Sequence, residues 1–297
     1  MKIGMACTFG SSASRDFGFV KESAQALEQT GFNSMWVPEH VVFFPPDKIE
    51  SDYPYDENGT PPWTGDDFGI YDPLFVIAVA SQVTTTLRFA TSILILPQRP
   101  ALLTAKEVMT LDHVTQGRFE FGVGGGWAKE EYEALGVSWK NRGKRFDEYI
   151  EAIRAAWAPG LAEYKGEFIS FENVILMPQP VTPKGPPFLI GGDSIPAMRR
   201  AARLGDGWYG WWSDYELEPQ LERLQRELEA EGRSIQDDNF RLKLGLPIKF
   251  TPDELVAKVE EAQRLGVEEL VIGAPVRAKT LQKDLDTWAQ AAGVSSH

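Results

Sequence analysis

Phe188-Leu189-Ile190-Gly191-Gly192-Asp193-Ser194-Ile195-Pro196-Ala197-Met198-Arg199-Arg200-Ala201-Ala202-Arg203-Leu204-Gly205-Asp206-Gly207-Trp208-Tyr209-Gly210-Trp211-Trp212 reads as a strand, a glycine turn, a helix and a second strand. A short apolar run ends at two glycines, Ser194 stands where an N-cap belongs, and ten residues of helical pattern return the chain to a new strand. Two parallel strands joined through a helix form the βαβ unit. The same alternation continues outward. Upstream, strands are expected at 2–9, 34–39, 87–96 and 118–124. The paired helices fall at 16–31, 72–83 and 100–114, then at 128–135 and 141–158. Phe17, Val20, Ala24 and Leu27 share one face of the first helix, which Gly31 stops. Downstream come helix 216–231, strand 240–247, helix 252–265, strand 268–273 and helix 279–292. Residues 164–180 break the rhythm with a β pattern around Lys165-Gly166, an excursion shaped like a hairpin. Eight strands alternating with helices predict an α/β fold, a single (β/α)8 TIM barrel spanning residues 1–297 as one domain. An open doubly wound sheet is the competing architecture and usually has fewer strands.

The totals agree. A chain of 297 residues with 43% hydrophobic and 25% charged residues can bury one large core. Forty-three acidic residues against 30 basic ones give a net charge of −13, which speaks against nucleic acid or an anionic membrane as partner. A small-molecule substrate is the expected partner. The lone Cys7 excludes an intrachain disulfide, and no apolar run approaches the roughly 18 residues of a membrane span, so a cytoplasmic enzyme is expected.

One connection is unusually long. Residues 42–71 hold Phe43, Phe44, Tyr53, Tyr55, Trp63, Phe68 and Tyr71 among prolines and acids. Loops of this length are commonly lids, and the aromatic content suits a lid over something apolar.

In a barrel of this kind the reactive groups stand where strands end. Strand 2 ends at Pro38-Glu39-His40. His297 is terminal and His113 sits within a helix, so His40 is the imidazole placed for proton transfer or for bonding a polar cofactor or substrate group. Taken alone, a strand-end histidine suits a site or a structural role equally. Strand 4 ends in Gly124-Gly125-Gly126 and strand 5 in Gly191-Gly192-Asp193-Ser194. Both lead into helices, and glycine there lets backbone N–H groups approach a phosphate. Trp208, Tyr209, Trp211 and Trp212 suit a flat heterocycle, though some will be core. No histidine pair or cysteine cluster has metal-ligand spacing, so no metal is expected. GxGxxG and Gly-x-Ser-x-Gly are also missing.

Several of these stretches, in fixed order, resemble the bacterial luciferase-like monooxygenase superfamily, and within it the branch that uses the deazaflavin coenzyme F420. They are Trp36-Val37-Pro38-Glu39-His40, Ala90-Thr91-Ser92-Ile93-Leu94-Ile95-Leu96-Pro97, Leu111-Asp112-His113, Gly122-Val123-Gly124, Gly126-Trp127, Arg145-Phe146-Asp147-Glu148, Ile190-Gly191-Gly192-Asp193-Ser194 and Gly205-Asp206-Gly207-Trp208. The resemblance covers almost the whole chain. It implies a flavin-shaped cofactor across the barrel mouth, with Glu39 near the ring, Thr91 and Ser92 at a strand-3 irregularity behind it, and Gly125, Gly126, Gly191, Gly192 and Ser194 on its phosphate. Arg142 and Arg145 are expected to tie helices together through partners such as Glu148. His40 falls where deazaflavin sugar-phosphate dehydrogenases have a catalytic histidine. Those enzymes carry an acid after the strand-4 glycines where this chain has Trp127, which argues against a sugar phosphate. The resemblance also implies a homodimer. Three functions follow: F420-dependent hydride transfer on a small, largely apolar molecule, an FMN-dependent monooxygenase, or a non-catalytic flavin-binding barrel.

Overall fold

In the computed structural model, which describes residues 1–11, 14–54, 59, 61, 69–213, 216–247, 250–274 and 277–295, strands and helices alternate along the chain. β1 (Lys2–Ala6) leads to α1 (Phe17–Thr30), β2 (Ser34–Val37) to α2 (Pro73–Ser81), and β3 (Arg88–Thr91) with β4 (Leu94–Ile95) to α3 (Ala101–Thr115). β5 (Phe119–Gly124) is followed by α4 (Lys129–Ala134) and α5 (Arg142–Ala156), then by the antiparallel hairpin of β6 (Ala162–Lys165) and β7 (Ser170–Val174). The remaining units are β8 (Phe188–Gly191) with α6 (Ile195–Leu204), β9 (Gly207–Trp211) with α7 (Leu217–Ala230), β10 (Arg241–Leu246) with α8 (Pro252–Arg264), and β11 (Glu269–Gly273) with α9 (Leu281–Ala291).

Parallel pairing runs β3-β2-β1-β11-β10-β9-β8-β5-β4, and a further β3–β5 pairing closes the ring. β3 and β4 are two pieces of one stave, so the barrel has eight. β3 meets the start of β5 (Phe89↔Phe119, Ala90↔Glu120), and β4 meets its end (Leu94↔Val123, Ile95↔Gly124). Periodicity predicts one continuous strand over 87–96, while the resemblance implies an irregularity at Thr91 and Ser92; the structure interrupts the strand at Ser92–Ile93, whose peptide bond is cis. Two bonds frame the break. Thr91 Oγ1 donates to the Gly122 carbonyl at 2.6 Å, and Ser92 N–H donates to the Val37 carbonyl at 2.8 Å. A side chain at position 122 would overlap the Thr91 carbonyl, so only glycine permits this approach. Apolar patterning carries no trace of such a contact.

Alternation along the staves sorts the core into two. Met35, Phe89, Phe121, Ile190, Trp208 and Leu244 face outward beneath the helices. Inside the ring lies a smaller cluster: Trp36, Ala90, Leu189, Tyr209 and Val271, with Trp36 stacked on Tyr209 at 4.6 Å. Gly245 makes room for the stack, because a Cβ there would run into Tyr209 and Trp211.

Below that layer, toward the amino ends of the strands, the interior is ionic. Lys243 is 1% exposed and bonds Glu120 and Glu269, the latter at 2.7 Å; Ser34 and Asn33 donate to the other Glu269 oxygen at 2.5 and 2.7 Å. Arg88 and Arg241 complete the shell around Glu120. Burial pushes the Lys243 ammonium down, but Glu269 and Glu120 outweigh it and hold its pKa above the ordinary lysine value. Burial likewise pushes Glu120 up, and Lys243, Arg241 and Arg88 bring it below the ordinary carboxylate value. A cavity of about 390 Å³ opens beside this cluster, at the end of the barrel away from the glycine-rich strand ends.

The helix ends follow their sequence signals. Asp16 caps α1 by accepting from the Gly18 N–H at 2.7 Å, and Gly31 ends it at φ 97°. Thr251 and Glu254 form a capping box on α8. Among the described residues no helix is long and apolar enough to cross a membrane.

Candidate active site

The carboxyl ends of the staves collect most of the residues expected to act. His40 follows β2, Thr91 and Ser92 end β3, Gly125 and Gly126 follow β5, and Gly191, Gly192 and Ser194 lie at the end of β8 and the start of α6. β5 and β8 are neighbours in the sheet, with Val123 opposite Ile190, so the two glycine turns stand side by side. Ala6, Ile93 and Trp211 form the top of the ring interior.

The imidazole of His40 is 14% exposed. Its Nδ1 lies 3.1 Å from Oε2 of Glu131, which is 1% exposed on α4. The other Glu131 oxygen accepts the N–H of Val41 at 2.6 Å and of Val42 at 3.4 Å. Phe43 and Trp127 stand against the imidazole at ring distances of 5.6 and 5.7 Å, and Tyr53 meets Trp127 edge-on at 5.3 Å. His40 thus sits among a carboxylate and two aromatic rings, with Tyr53 packed behind Trp127. Glu131 and its neighbour Glu130 escaped the sequence reading, because their role depends on the path of residues 41–51. Glu130 accepts the N–H groups of Glu50 and Ser51 at 2.8 and 3.0 Å. Two adjacent acids at the start of a helix behind a glycine turn were the available signal. The expected lid is therefore clamped to α4 along its first half. Tyr55, Trp63 and Phe68 of that lid lie outside the described residues.

Glu39 is turned elsewhere. One of its oxygens accepts the Ile95 N–H at 2.6 Å, and the other accepts Arg99, whose guanidinium also holds Asp72, the N-cap of α2, at 2.6 Å. Glu39 is 5% exposed, and burial pushes its carboxyl above the ordinary value while Arg99 pulls against it. This geometry makes Glu39 a tie between β2, β4 and the start of α2. Thr91 is fully buried and committed to Gly122.

The glycines divide. A Cβ on Gly124 would lie 2.5 Å from Ile93 and one on Gly191 2.7 Å from it, so both are kept bare by the Ile93 side chain. Gly126 has φ 64° and faces Ile95. Gly192, at φ 118°, gives its N–H to the Tyr209 carbonyl at 3.2 Å, and its own carbonyl takes the Trp208 indole N–H at 2.8 Å. Gly125 differs, since a Cβ there would touch only Phe146, at 4.0 Å. Ser194 caps α6 at 3.4 Å from the Ala197 N–H, and no acid stands in the first turn of that helix. The sequence also suggests that the helix beginning near Ala128 adds its positive amino end to the glycine turn, and the structure differs. That helix has six residues and carries Glu130 and Glu131 in its first turn, so its end is already supplied with negative charge.

Of the remaining expectations, Trp208 and Trp212 are outer core, whereas Tyr209 and Trp211 face the barrel interior. His113 bonds the Gln179 carbonyl at 2.7 Å, and burial pushes the Cys7 thiol up to about 12. Arg145 donates to the Ser138 carbonyl at 2.7 Å and Arg142 stacks on Trp139, while Glu148 instead accepts the N–H groups of Glu167 and Phe168. Among the described residues no cluster of three or more His, Cys, Asp or Glu side chains could hold a metal ion.

Comparison with known proteins adds the following. The profile of the luciferase-like monooxygenase family matches residues 1–296. An uncharacterized protein of Mycobacterium tuberculosis is 33% identical over 262 residues, 88% of this chain and 86% of that protein. The FMNH2-dependent dimethylsulfone monooxygenase of Pseudomonas fluorescens is 34% identical over 129 residues, 42% of this chain and 34% of that enzyme. Among solved structures, the coenzyme F420-dependent tetrahydromethanopterin reductase of Methanopyrus kandleri superposes with a TM-score of 0.73 at 15% identity, covering 98% of this chain and 97% of that one.

Proposed function

The chain belongs to the luciferase-like monooxygenase family, and from that premise we propose that it is a coenzyme F420-dependent oxidoreductase acting on a small, largely apolar organic substrate. The observation that carries this reading is His40, set at the barrel mouth against Glu131 and walled by Phe43 and Trp127, with Tyr53 behind Trp127. Such a wall favours an apolar substrate beside a group able to exchange a proton.

The mouth fits a flat ring with a phosphate-bearing tail. Gly125 leaves open the space that a side chain would fill, and α6 offers a capped amino end with no acid in its first turn. Gly125, Gly126 and the Ser194 hydroxyl would hold the phosphate, with Ile93, Trp211 and Ala6 beneath the ring. Gly191 and Gly192 shape the turn, since the Gly192 N–H is already used. A deazaflavin, when bound, supplies or accepts a hydride and does not readily activate oxygen. His40 provides or takes the proton that accompanies a change between carbonyl and alcohol. The aromatic wall and the clamped segment 41–51 keep water from the reacting atoms.

A second reading, an FMN-dependent monooxygenase, is favoured by the identity shared with the dimethylsulfone monooxygenase. The two separate in an anaerobic screen of reduced F420 against small ketones and enones. Cofactor oxidation without oxygen supports the first reading. Oxygen uptake with reduced FMN, and no reaction with F420, overturns it. A second copy of the chain is the proposed partner. α2, Pro-Leu-Phe-Val-Ile-Ala-Val-Ala-Ser, is apolar nearly all round, yet Phe75 is 71% exposed, and Leu103 on the neighbouring α3 is 54% exposed.

A further inference from the structure

Glu131 is almost wholly buried, and the group paired with it is an imidazole, charged only when protonated. Its partners are an imidazole and two backbone N–H groups. A carboxylate only accepts hydrogen bonds, so each of these bonds draws its hydrogen from the partner. The bond to His40 therefore needs a proton on Nδ1, and in the neutral imidazole the lone pair then lies on Nε2. The two oxygens divide the work, Oε2 taking the ring and Oε1 taking Val41 and Val42. Because the amides sit next in the chain to His40, one carboxylate fixes both the ring and the backbone that carries it.

We propose that Glu131 is the positioning residue of this site, setting His40 in the Nδ1–H tautomer so that Nε2 exchanges the proton with substrate. This rests on the reading of His40 as the proton-handling group. Glu131 touches no reacting atom in this scheme; it acts through the imidazole. Glu130 provides an internal comparison, because it anchors the same loop at Glu50 and Ser51. A purely structural role for Glu131 would make the two acids equivalent.

The conservative change is Glu131→Gln. An amide has one accepting oxygen, whereas the site asks both to accept, so either the imidazole or the Val41 N–H would face an NH2 group. The test is nitrogen-15 NMR of the His40 ring in the full chain without cofactor, at a pH where the imidazole is neutral, with His40→Ala identifying the signal. Wild type is expected to carry its proton on Nδ1. Glu131→Gln should move it toward Nε2, and Glu130→Gln should leave it in place. In turnover, Glu131→Gln should lose at least about tenfold in kcat with KM and cofactor affinity unchanged. A wild-type proton on Nε2, or a tautomer that Glu131→Gln does not alter, would overturn the proposal. Beyond the His40→Ala assignment the wild-type spectrum needs no substitution, so poor folding of Glu131→Gln leaves the test intact. It also needs no cofactor: failure to bind F420 would sink the functional reading without changing the tautomer result.

Discussion

His40 and Gly125 are the residues whose replacement speaks most directly about chemistry. His40→Ala removes an imidazole that lies 3.1 Å from the Glu131 carboxylate. General acid–base help is typically worth 10²–10⁴-fold, so the variant should stay folded, give up only the stability of its bond to Glu131, keep its cofactor affinity and lose at least about a hundredfold in turnover. A lower melting temperature with near-normal turnover would assign His40 to structure instead. For the phosphate rim the structure chooses the variant. Gly126→Val is strained whatever binds, because φ is 64° and a Cβ would lie 2.8 Å from Ile95. A Cβ at position 125 meets nothing closer than 4.0 Å. Gly125→Val should therefore stay folded and weaken cofactor binding by about 1.5–3 kcal/mol, the value of one charge-assisted hydrogen bond; unchanged affinity would make Gly125 an ordinary turn residue. Residue identity at strand ends was enough to nominate His40 and the glycines, which the fold brings to the carboxyl ends of the staves. It could not tell a glycine kept bare by a neighbouring side chain, such as Gly191 under Ile93, from one facing open space. It could not reveal Glu131 either, since that bond spans 91 positions of chain.

At the scale of elements, periodicity and capping residues placed nearly every strand and helix, because alternation and caps are local signals. The stave formed by β3 and β4 shows the limit. Its apolar run is continuous, and the interruption depends on a bond from Thr91 to Gly122 on another strand. Glu39 is a similar case: its neighbour His40 suggested a shared site, but Arg99, sixty positions away, captures it. Glu28 on α1 joins elements in the same manner. It accepts the N–H groups of Thr85, Thr86 and Leu87, which lead into β3, and the Thr86 hydroxyl. Slight burial pushes this carboxyl up, but those hydrogen bonds outweigh it and hold the pKa down at about 2, against 4.5 ordinarily. A depressed folded-state pKa contributes stability above the unfolded value and loses it as pH falls toward the folded one. Glu28→Gln should therefore cost about 1 kcal/mol at neutral pH, discounted for solvent exposure. Its deficit should shrink as pH falls from 4.5 toward 2. Urea melts of both proteins across that range check this; a deficit independent of pH would show that the charge is immaterial.

The whole molecule is a barrel with an ionic floor and an apolar, glycine-edged mouth. On the floor, Lys243 answers Glu120 and Glu269 together. Lys243→Met would leave the buried Glu269 without its cation and take one of three from Glu120, and breaking a buried pair from one side typically costs about 3–5 kcal/mol. Chemical denaturation should show that loss, with the deficit easing in acid as the carboxylates take up protons; a neutral substitution would mean that solvent already reaches them. The repeat of strand and helix made the fold legible throughout, as eight such units in a chain of this length strongly favour closure. The mouth was legible in its inventory of residues, while its division into frame and open space required the coordinates. Exposed Phe75 and Leu103 predict self-association, which light scattering should register as twice the 33.2 kDa chain mass. The central claim concerns what the mouth holds. It is tested most directly by fluorescence titration of the purified chain with F420 and with FMN at one salt concentration. Binding of F420 at least about tenfold tighter, a difference of about 1.4 kcal/mol, is the result expected, and micromolar binding of FMN with none detectable for F420 would contradict it.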